Sequence, residues 1–192
     1  DIADFERPKA IVVSVGGQIA NNLAAPLDER GYPLLGTSAD SIDLAENRDR
    51  FSSLLHTLGI DQPAWQRAQS LESAKKFALE HGYPLLIRPS YVLSGSAMNV
   101  VLNEEELVRF LKEAAHVSKD HPVVISKFIE QAKEFEIDGV ANDGQIVISA
   151  MSEHIENAGV HAGDATIVLP PQRLYLETIR RAKRVSRIIV KA

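Results

Sequence analysis

The pattern of apolar and polar positions divides the first third of the chain into short strands and amphipathic helices. A β-branched run at residues 9–15 ends at a pair of glycines and passes into a helical pattern, which predicts a strand, a turn and a helix. Residues 32–36 predict a second strand, and Ser38 can cap a long helical stretch that ends at Gly59. This order of elements is typical of a parallel α/β unit.

A second group of elements begins near Pro63. We predict, in order, a helix at 71–81 capped by Ser70, an apolar strand at 84–88, a loop at 89–97, a strand at 98–102 and a helix at 105–117. Asn103, with Glu106 three residues later, resembles a capping box at the start of the last helix.

Antiparallel strands dominate the remainder of the sequence. The runs at 122–129, 133–141, 145–151 and 165–169 read as strands, a loop fills 153–164, and a basic amphipathic helix begins near Leu174. Asn142-Asp143-Gly144 is a typical hairpin turn. The fold class is therefore an α/β head followed by an α+β body, with a boundary between Leu44 and Pro63.

Composition and charge exclude several classes of function. Lys and Arg total 21 against 26 Asp and Glu, which gives a net charge of -5 and no broad basic surface for nucleic acid. The absence of cysteine excludes disulfides and cysteine-ligated zinc, and it fits an intracellular protein. No apolar run approaches the ~18 to 20 residues of a transmembrane helix. Since the chain starts at Asp1 without a signal-like core, we expect a piece of a longer protein.

The first candidate site is the segment from Arg88 to Met98. Arg88 ends an apolar strand, and a guanidinium is costly to bury unless an anion receives it. Ser94, Gly95 and Ser96 follow, and such small residues let backbone N–H groups approach a phosphate. The alternative is a surface β-hairpin in which these residues only satisfy turn geometry.

The second candidate is a row of carboxylates. Glu134, Glu136 and Asp138 alternate along a predicted strand and therefore share one face. Like charges repel unless this face meets solvent, a sugar hydroxyl pair or a cation. A strand that contacts a nucleotide and an ordinary solvated strand face both remain open.

The third candidate is the loop at 153–164, which contains His154 and His161. The two histidines have no zinc-like spacing and no cysteine joins them, so zinc is disfavoured. Gly159 and Gly163 relieve steric limits, so the loop could present backbone groups and one histidine to a phosphate. The alternative is a purely structural loop. Neither a Rossmann G-x-G-x-x-G motif nor a Walker G-K-[ST] motif is present.

Three segments in this order resemble the large chain of the carbamoyl phosphate synthetase family. They are RPSYVLSGSAM at 88–98, SKFIEQAKEFEIDGVA at 126–141 and SEHIENAGVHAGD at 152–164. The similarity runs through nearly the whole chain, including VGGQ at 15–18, GTSADSIDLAENRDRF at 36–51 and GDATIVLPPQ at 163–172. The matched form is the second, carbamate-phosphorylating half of the eukaryotic type. The amino-acid sequence is most similar to the glutamine-dependent multifunctional form of pyrimidine synthesis. It is also close to the ammonia-dependent form of the urea cycle.

The resemblance implies an ATP-grasp fold preceded by the end of a Rossmann-like pre-ATP-grasp domain. Residues 1–45 would belong to the latter and residues 46–192 to the ATP-grasp domain, with ATP between its lobes. The implied ATP-binding residues are Arg48, Arg88, Ser94, Gly95, Lys127, Ile129, Glu134, Gly159, Val160 and His161, of which Arg88 and His161 are expected to act in catalysis. A monovalent cation site, usually K⁺, is implied at Glu134, His154, Glu156 and Asn157.

The roles of these residues follow from the same resemblance. Arg48 and Arg88 match phosphate arginines, Lys127 and Ile129 match the segment beside the adenine, and Glu134 matches the acid that holds the ribose. Ser94 and Gly95 match the phosphate loop, and residues 159–161 match a loop lining the nucleotide.

Two departures from the family pattern stand out. Ala162 follows His161 where the family generally has serine, and the family's ligands for Mg²⁺ or Mn²⁺ are expected beyond Ala192. We therefore expect that the whole protein is an ATP-dependent ligase and that this 192-residue piece is inactive alone.

The resemblance also implies partners for the whole protein. They are ATP and carbamate as substrates, a glutaminase domain or subunit, and the other synthetase half, in an oligomeric protein of the cytoplasm or the mitochondrion. A biotin-carboxylase-like ATP-grasp ligase and a catalytically silent module of the same fold are the alternatives.

Overall fold

The structure is a computed structural model that describes residues 2–90, 98–117, 123–159 and 164–192. Its N-terminal part contains α1 (Ile2–Glu6), β1 (Ile11–Val12), α2 (Gly17–Asn21), α3 (Ala24–Glu29), β2 (Leu34–Leu35) and α4 (Ala39–Glu46). β1 and β2 pair in parallel, as the sequence predicted. Val13, Ala24 and Ile42 form the small core between this sheet and the helices.

Two predicted helices are each interrupted in this part of the fold. The helix after β1 is split into α2 and α3, because Pro26 has no N–H to donate to the preceding turn and its ring crowds the carbonyl there. The long helix that Ser38 caps ends at Glu46, because Asn47 adopts an extended conformation (φ -79°, ψ 103°) and starts a new helix. The prediction of one continuous helix was wrong in both places, and α1 was not predicted.

The middle of the chain forms a four-stranded antiparallel sheet covered by helices. Its elements are α5 (Arg48–Thr57), β3 (Trp65–Arg67), α6 (Leu71–His81), β4 (Leu85–Arg88), β5 (Asn99–Val101), α7 (Glu104–Val117) and β6 (Val124–Lys127), with strand order β3-β6-β4-β5. Leu85 and Ile87 are fully buried against Phe77 of α6 and Leu107 of α7. Because side chains alternate along a strand, Arg88 lies on the opposite face of the sheet from this core.

The helices of this part begin where the sequence predicted. Ser70 caps α6, since its hydroxyl accepts from the N–H of Ser73 and the Ser73 hydroxyl accepts from the N–H of Ser70. At α7, Asn103 accepts from the N–H of Glu106 at 2.9 Å, while the Glu106 carboxylate accepts from the N–H of Leu102.

The last part is a three-stranded antiparallel sheet covered by a helix. It contains β7 (Lys133–Asn142), β8 (Gln145–Asn157), β9 (Ile167–Val168) and α8 (Leu176–Lys191), and α8 packs on the face that carries Phe135 and Ile137. Asp143 and Gly144 both have positive φ (47° and 73°), as a two-residue type I′ hairpin turn requires, which confirms the predicted turn. No helix of the described residues is long and apolar enough to cross a membrane.

β8 is longer than the sequence predicted. Residues 153–157 were expected in a loop, but they continue the strand and pair on both sides, with Phe135 opposite Glu153 on β7 and Val168 opposite Glu153 on β9. The buried Glu153 carboxylate accepts from the N–H groups of Gln172 and Arg173 at 2.9 and 2.8 Å. These tertiary contacts stabilise a polar segment that local sequence patterns assign to a loop.

Candidate functional site

Two predicted phosphate arginines meet at the junction of α5 and β4. Arg48 is the first residue of α5, and Arg88 is the last residue of β4. The N–H of Arg48 donates to the Ser90 hydroxyl at 3.2 Å, and its Nε donates to the carbonyl of Pro89 at 3.1 Å. Helix α5 is thereby joined to the backbone that directly follows Arg88.

The electrostatics of this junction favour an anion. Burial, together with a smaller effect of the nearby Arg48 guanidinium, lowers the pKa of Arg88 to about 10. Burial also lowers the pKa of Arg48, which lies at a helix N-terminus, where the helix dipole disfavours a cation. Arg88 Nε is buried without a hydrogen-bond partner among the described residues. A phosphate would supply both the missing acceptor and the missing negative charge.

A second group of predicted residues lies where β6 ends. The ammonium of Lys127 donates to the carbonyls of Tyr83 and Gly82 at 2.8 and 3.2 Å, so it is anchored to the backbone before β4. Ile129, two residues later, leaves half of its surface exposed. An exposed apolar side chain beside a fixed ammonium can contact the face and edge of a heterocyclic ring.

The chain at Gly159 packs against this same segment. The N–H of Ala158 donates to the carbonyl of Ala132 at 2.8 Å, and a Cβ on Gly159 would lie 3.3 Å from the Phe128 ring. Gly159 has φ +112°, a conformation that side chains other than glycine rarely adopt. The structure thus brings two of the predicted stretches, 127–129 and the end of the 153–159 segment, together.

A cluster of two carboxylates and one imidazole forms the third part of the site. Ligand atoms of Glu134, Glu136 and His154 lie within 4.8 Å of one another. His154 is buried, and its Nε2 lies 3.2 Å from a Glu136 carboxylate oxygen, although the angles do not make a hydrogen bond and neither ring nitrogen has such a partner in the described residues. The register pairs Glu136 with Ser152, whose buried hydroxyl likewise has no partner there. Such an arrangement can hold a cation.

Two other predicted cation ligands lie at the edge of this cluster. The Glu156 carboxylate accepts from the N–H of Thr166 at 2.9 Å, and hydrogen bonds from the backbone N–H of Glu156 itself and from Thr166 lower its pKa. Asn157 pairs with Lys133, the first residue of β7, which directly precedes Glu134. Asp138, the third carboxylate predicted on this strand face, is exposed and outside the cluster of three.

Besides Ser96 and Gly163 of the candidate loops, four predicted ATP-binding residues lie outside the described part of the chain. These are Ser94 and Gly95 in the phosphate segment, and Val160 and His161 in the segment after β8. Their roles therefore stay predictions of the sequence.

Family comparisons show which family the chain belongs to. The family model described as "Carbamoyl-phosphate synthase L chain, ATP binding domain" matches residues 47–192, and "Carbamoyl phosphate synthase preATP-grasp domain" matches residues 1–44. The chain belongs to the carbamoyl-phosphate synthase large-chain family. The family resemblance predicted from the three sequence segments is confirmed.

Relatives of high identity include two multifunctional proteins and an arginine-specific carbamoyl phosphate synthase large chain. "Multifunctional protein CAD" of Squalus acanthias is 53% identical over 189 residues, which cover 98% of this chain and 8% of the relative. "Multifunctional protein pyr1-3" of Dictyostelium discoideum is 58% identical over 182 residues, 95% of this chain and 8% of the relative. The mitochondrial arginine-specific carbamoyl phosphate synthase large chain of Neurospora crassa is 52% identical, with 100% of this chain and 16% of the relative covered. The chain thus spans less than a fifth of these relatives.

Solved structures show the ATP-grasp fold that the sequence predicted. The biotin carboxylase domain of the Hydrogenobacter thermophilus 2-oxoglutarate carboxylase, solved with MgADP, ADP and bicarbonate, has a TM-score of 0.79 at 21% identity and covers 100% of this chain and 44% of its own. Biotin carboxylase of Campylobacter jejuni in complex with β,γ-ATP has a TM-score of 0.70 at 17% identity, with 98% and 43% covered. These likenesses establish the fold of this synthase-family chain.

Sequence reasoning missed several residues that organise the site of this synthase-family chain. Ser90, two residues after Arg88, accepts a hydrogen bond from the N–H of Arg48, and buried Asp49 forms an ion pair with Arg67 that joins α5 to β3. Glu153 fixes the start of the segment before α8. The buried polar side chains at positions 49, 90 and 153 have partners at least 18 residues away, so no local pattern could reveal their roles.

Proposed function

We propose that this chain binds ATP and positions it for the phosphorylation of carbamate, giving carbamoyl phosphate and ADP. The observation that carries the proposal is the pair of partly buried arginines, Arg48 and Arg88: burial lowers the pKa of both, only the nearby Glu46 acts against this at Arg48, and Arg88 Nε has no hydrogen-bond partner among the described residues. The membership of the chain in the carbamoyl-phosphate synthase family supports this choice of reaction. The same resemblance implies the other synthetase half as a partner in the whole protein.

The chemistry assigned to these residues is charge neutralisation and positioning. Transfer of the γ-phosphoryl group spreads negative charge over its equatorial oxygens, and fixed cations stabilise that charge without a covalent protein intermediate. Arg88 and Arg48 would contact phosphate oxygens, while the exposed surface of Ile129 and the anchored Lys127 would border the adenine. Bound Mg²⁺ or Mn²⁺ would supply further charge neutralisation at the phosphates.

Calorimetric titration of ATP into the intact protein that contains this chain tests the proposal. Arg88→Ala should weaken ATP binding by about 1.5 to 3 kcal/mol, because it removes a charge-assisted hydrogen bond. Arg180→Ala, which removes an exposed arginine from α8, is the matched control and should leave the affinity unchanged. Equal affinities of the Arg88→Ala variant and the parent protein would contradict the assignment.

Formation of ATP from ADP and carbamoyl phosphate tests which synthetase half the chain represents. This partial back reaction isolates the carbamate-phosphorylating step. Arg88→Ala should abolish it while leaving bicarbonate-dependent ATP hydrolysis, which the other half performs, largely intact. Loss of bicarbonate-dependent hydrolysis with retention of the back reaction would assign the chain to the first half instead.

We also propose that Glu134 and His154, with Glu136, hold the predicted cation. The fit rests on the buried imidazole without hydrogen-bond partners and on two carboxylates within 4.8 Å of it. Carboxylate oxygens suit hard cations such as K⁺, and an added positive charge would relieve the repulsion between the two acids.

Replacement of one carboxylate tests the cation site. Glu134→Gln should remove the dependence of ATP affinity on K⁺ concentration, whereas Asp138→Asn, on the exposed part of the same strand, should preserve it. Titrations with KCl and with a potassium-free tetramethylammonium salt at the same ionic strength separate specific binding from screening. A K⁺ response that Glu134→Gln leaves intact would place the cation elsewhere.

A further inference from the structure

The start of helix α5 is capped by a residue distant in sequence. The first N–H groups of any α-helix lack partners within the helix and need acceptors from outside it. In α5, the N–H of Arg50 donates to the side chain of Asn47, the ordinary N-cap position, at 3.2 Å. The N–H of Arg48 instead donates to the Ser90 hydroxyl, from a position 42 residues away along the chain.

Ser90 occupies a place from which it can fix the spacing of the two arginines. It follows Arg88 by two residues and is only 2% exposed. Its contact with the N–H of Arg48 is reinforced by the hydrogen bond from Arg48 Nε to the carbonyl of Pro89. Two hydrogen bonds therefore connect residue 48 to the two residues directly after Arg88.

The charges of Arg48 and Arg88 would not by themselves hold the two side chains close together. The guanidinium groups carry the same charge, and Arg48 contributes to the lowered pKa of Arg88. Arg48 also lies at the positive end of the α5 dipole, which disfavours its charge. Until an anion binds, the hydrogen bonds from Arg48 to Ser90 and Pro89 and the nearby Glu46 carboxylate must offset this repulsion.

We propose that Ser90 is a positioning residue that holds Arg48 and Arg88 at the spacing a polyphosphate requires before nucleotide binds. The proposal rests on the proposed function, because it assumes that both arginines contact ATP phosphates. Preorganisation of this kind strengthens binding by reducing the ordering that the ligand must impose. Ser90 itself need not contact the nucleotide.

Two substitutions at position 90 test the role of the hydroxyl. Ser90→Ala removes the acceptor, and Ser90→Cys keeps nearly the same volume with only a weak acceptor. In the intact protein, both should raise the KM for ATP about tenfold, the size expected for a buried hydrogen bond, with a smaller change in kcat. Ser52→Ala, at a buried serine on the same helix, is the matched control and should leave the KM unchanged. An unchanged KM in a folded Ser90→Cys protein would overturn the proposal.

A double-mutant cycle distinguishes positioning from general loosening. If Ser90 acts through Arg48, Ser90→Ala should weaken ATP binding about tenfold in the parent protein and less than twofold in the Arg48→Ala background. Additive effects would mean that Ser90 merely supports the fold. If Arg48→Ala and Arg88→Ala both leave ATP affinity unaltered, the proposed function fails; if they weaken binding and Ser90→Cys does not, only the role of Ser90 fails.

Discussion

Burial of Arg88 destabilises the nucleotide-free protein, and the same side chain is proposed to bind phosphate. Its guanidinium is partly buried, its pKa is lowered to about 10 by that burial and by Arg48, and its Nε lacks a hydrogen-bond partner among the described residues. Its position could be predicted because an apolar strand that ends in arginine is a local pattern. The contribution of Ser90 could not, because the hydrogen bond to Arg48 spans 42 residues.

Removing the charge of Arg88 should stabilise the nucleotide-free protein. We expect Arg88→Met to raise the free energy of unfolding by about 1 to 3 kcal/mol, since a buried cation without a counterion is replaced by an apolar side chain of similar length. Thermal unfolding with and without ATP is the measurement. Arg88→Met should unfold at a higher temperature than the parent protein without ATP, and ATP should protect it much less than it protects the parent protein.

Arg67→Met is a control for which we expect the unfolding temperature to fall instead of rise. Arg67 forms an ion pair with Asp49, whose carboxylate is largely buried, so its removal leaves an uncompensated negative charge. This variant should unfold at a lower temperature than the parent protein. If Arg88→Met also lowers the unfolding temperature, Arg88 has a structural partner that outweighs the cost of its burial.

Some boundaries of the helices and strands could be predicted from neighbouring residues, and others could not. Ser38 and Ser70 begin helices where the sequence predicted, because a cap acts on N–H groups two or three residues away. The continuation of β8 through Asn157 was not predicted, because it depends on contacts with distant segments, whereas the break at Asn47 was missed although Asn47 caps α5 through the N–H of Arg50, three residues away. Those two departures place Arg48 and His154 in the candidate site.

Asn47 is the element-scale test of this arrangement. It ends α4, and its side chain accepts from the N–H of Arg50 at the start of α5. Asn47→Ala should lower the free energy of unfolding by about 1 kcal/mol, the usual cost of a lost cap, and should weaken ATP binding because Arg48 begins the same helix. Chemical denaturation and calorimetry measure the two effects. Asn47→Asp, which keeps the capping oxygen, should retain most of the stability; equal losses in both variants would show that capping is not the cause.

At the scale of the whole molecule, the candidate residues come from four separated stretches of sequence. α5 and β4 contribute the arginines, the end of β6 contributes Lys127 and Ile129, and the β7–β8 pair contributes the carboxylates and His154. Contacts between distant segments support this arrangement: Phe128 packs on Gly159, and Arg181 of α8 pairs with Asp61 after α5. The sequence supplied the list of residues through family motifs, whereas their spatial grouping depends on strand register.

The net charge of the chain makes anion binding a sharp test of the local site. This chain, with a net charge of -5, has no general affinity for polyphosphate, so stabilisation through anion binding to it requires a local cluster of cations. ATP at one hundred times its Kd should stabilise the intact protein by ~2.7 kcal/mol. Inorganic tripolyphosphate should raise the unfolding temperature as well, whereas adenosine should have a much smaller effect.

The tripolyphosphate effect should disappear in Arg48→Ala and Arg88→Ala but persist in Arg180→Ala, because only the first two arginines are joined at the α5–β4 junction. Equal protection of all three variants by tripolyphosphate would show that the anion binds elsewhere on the protein.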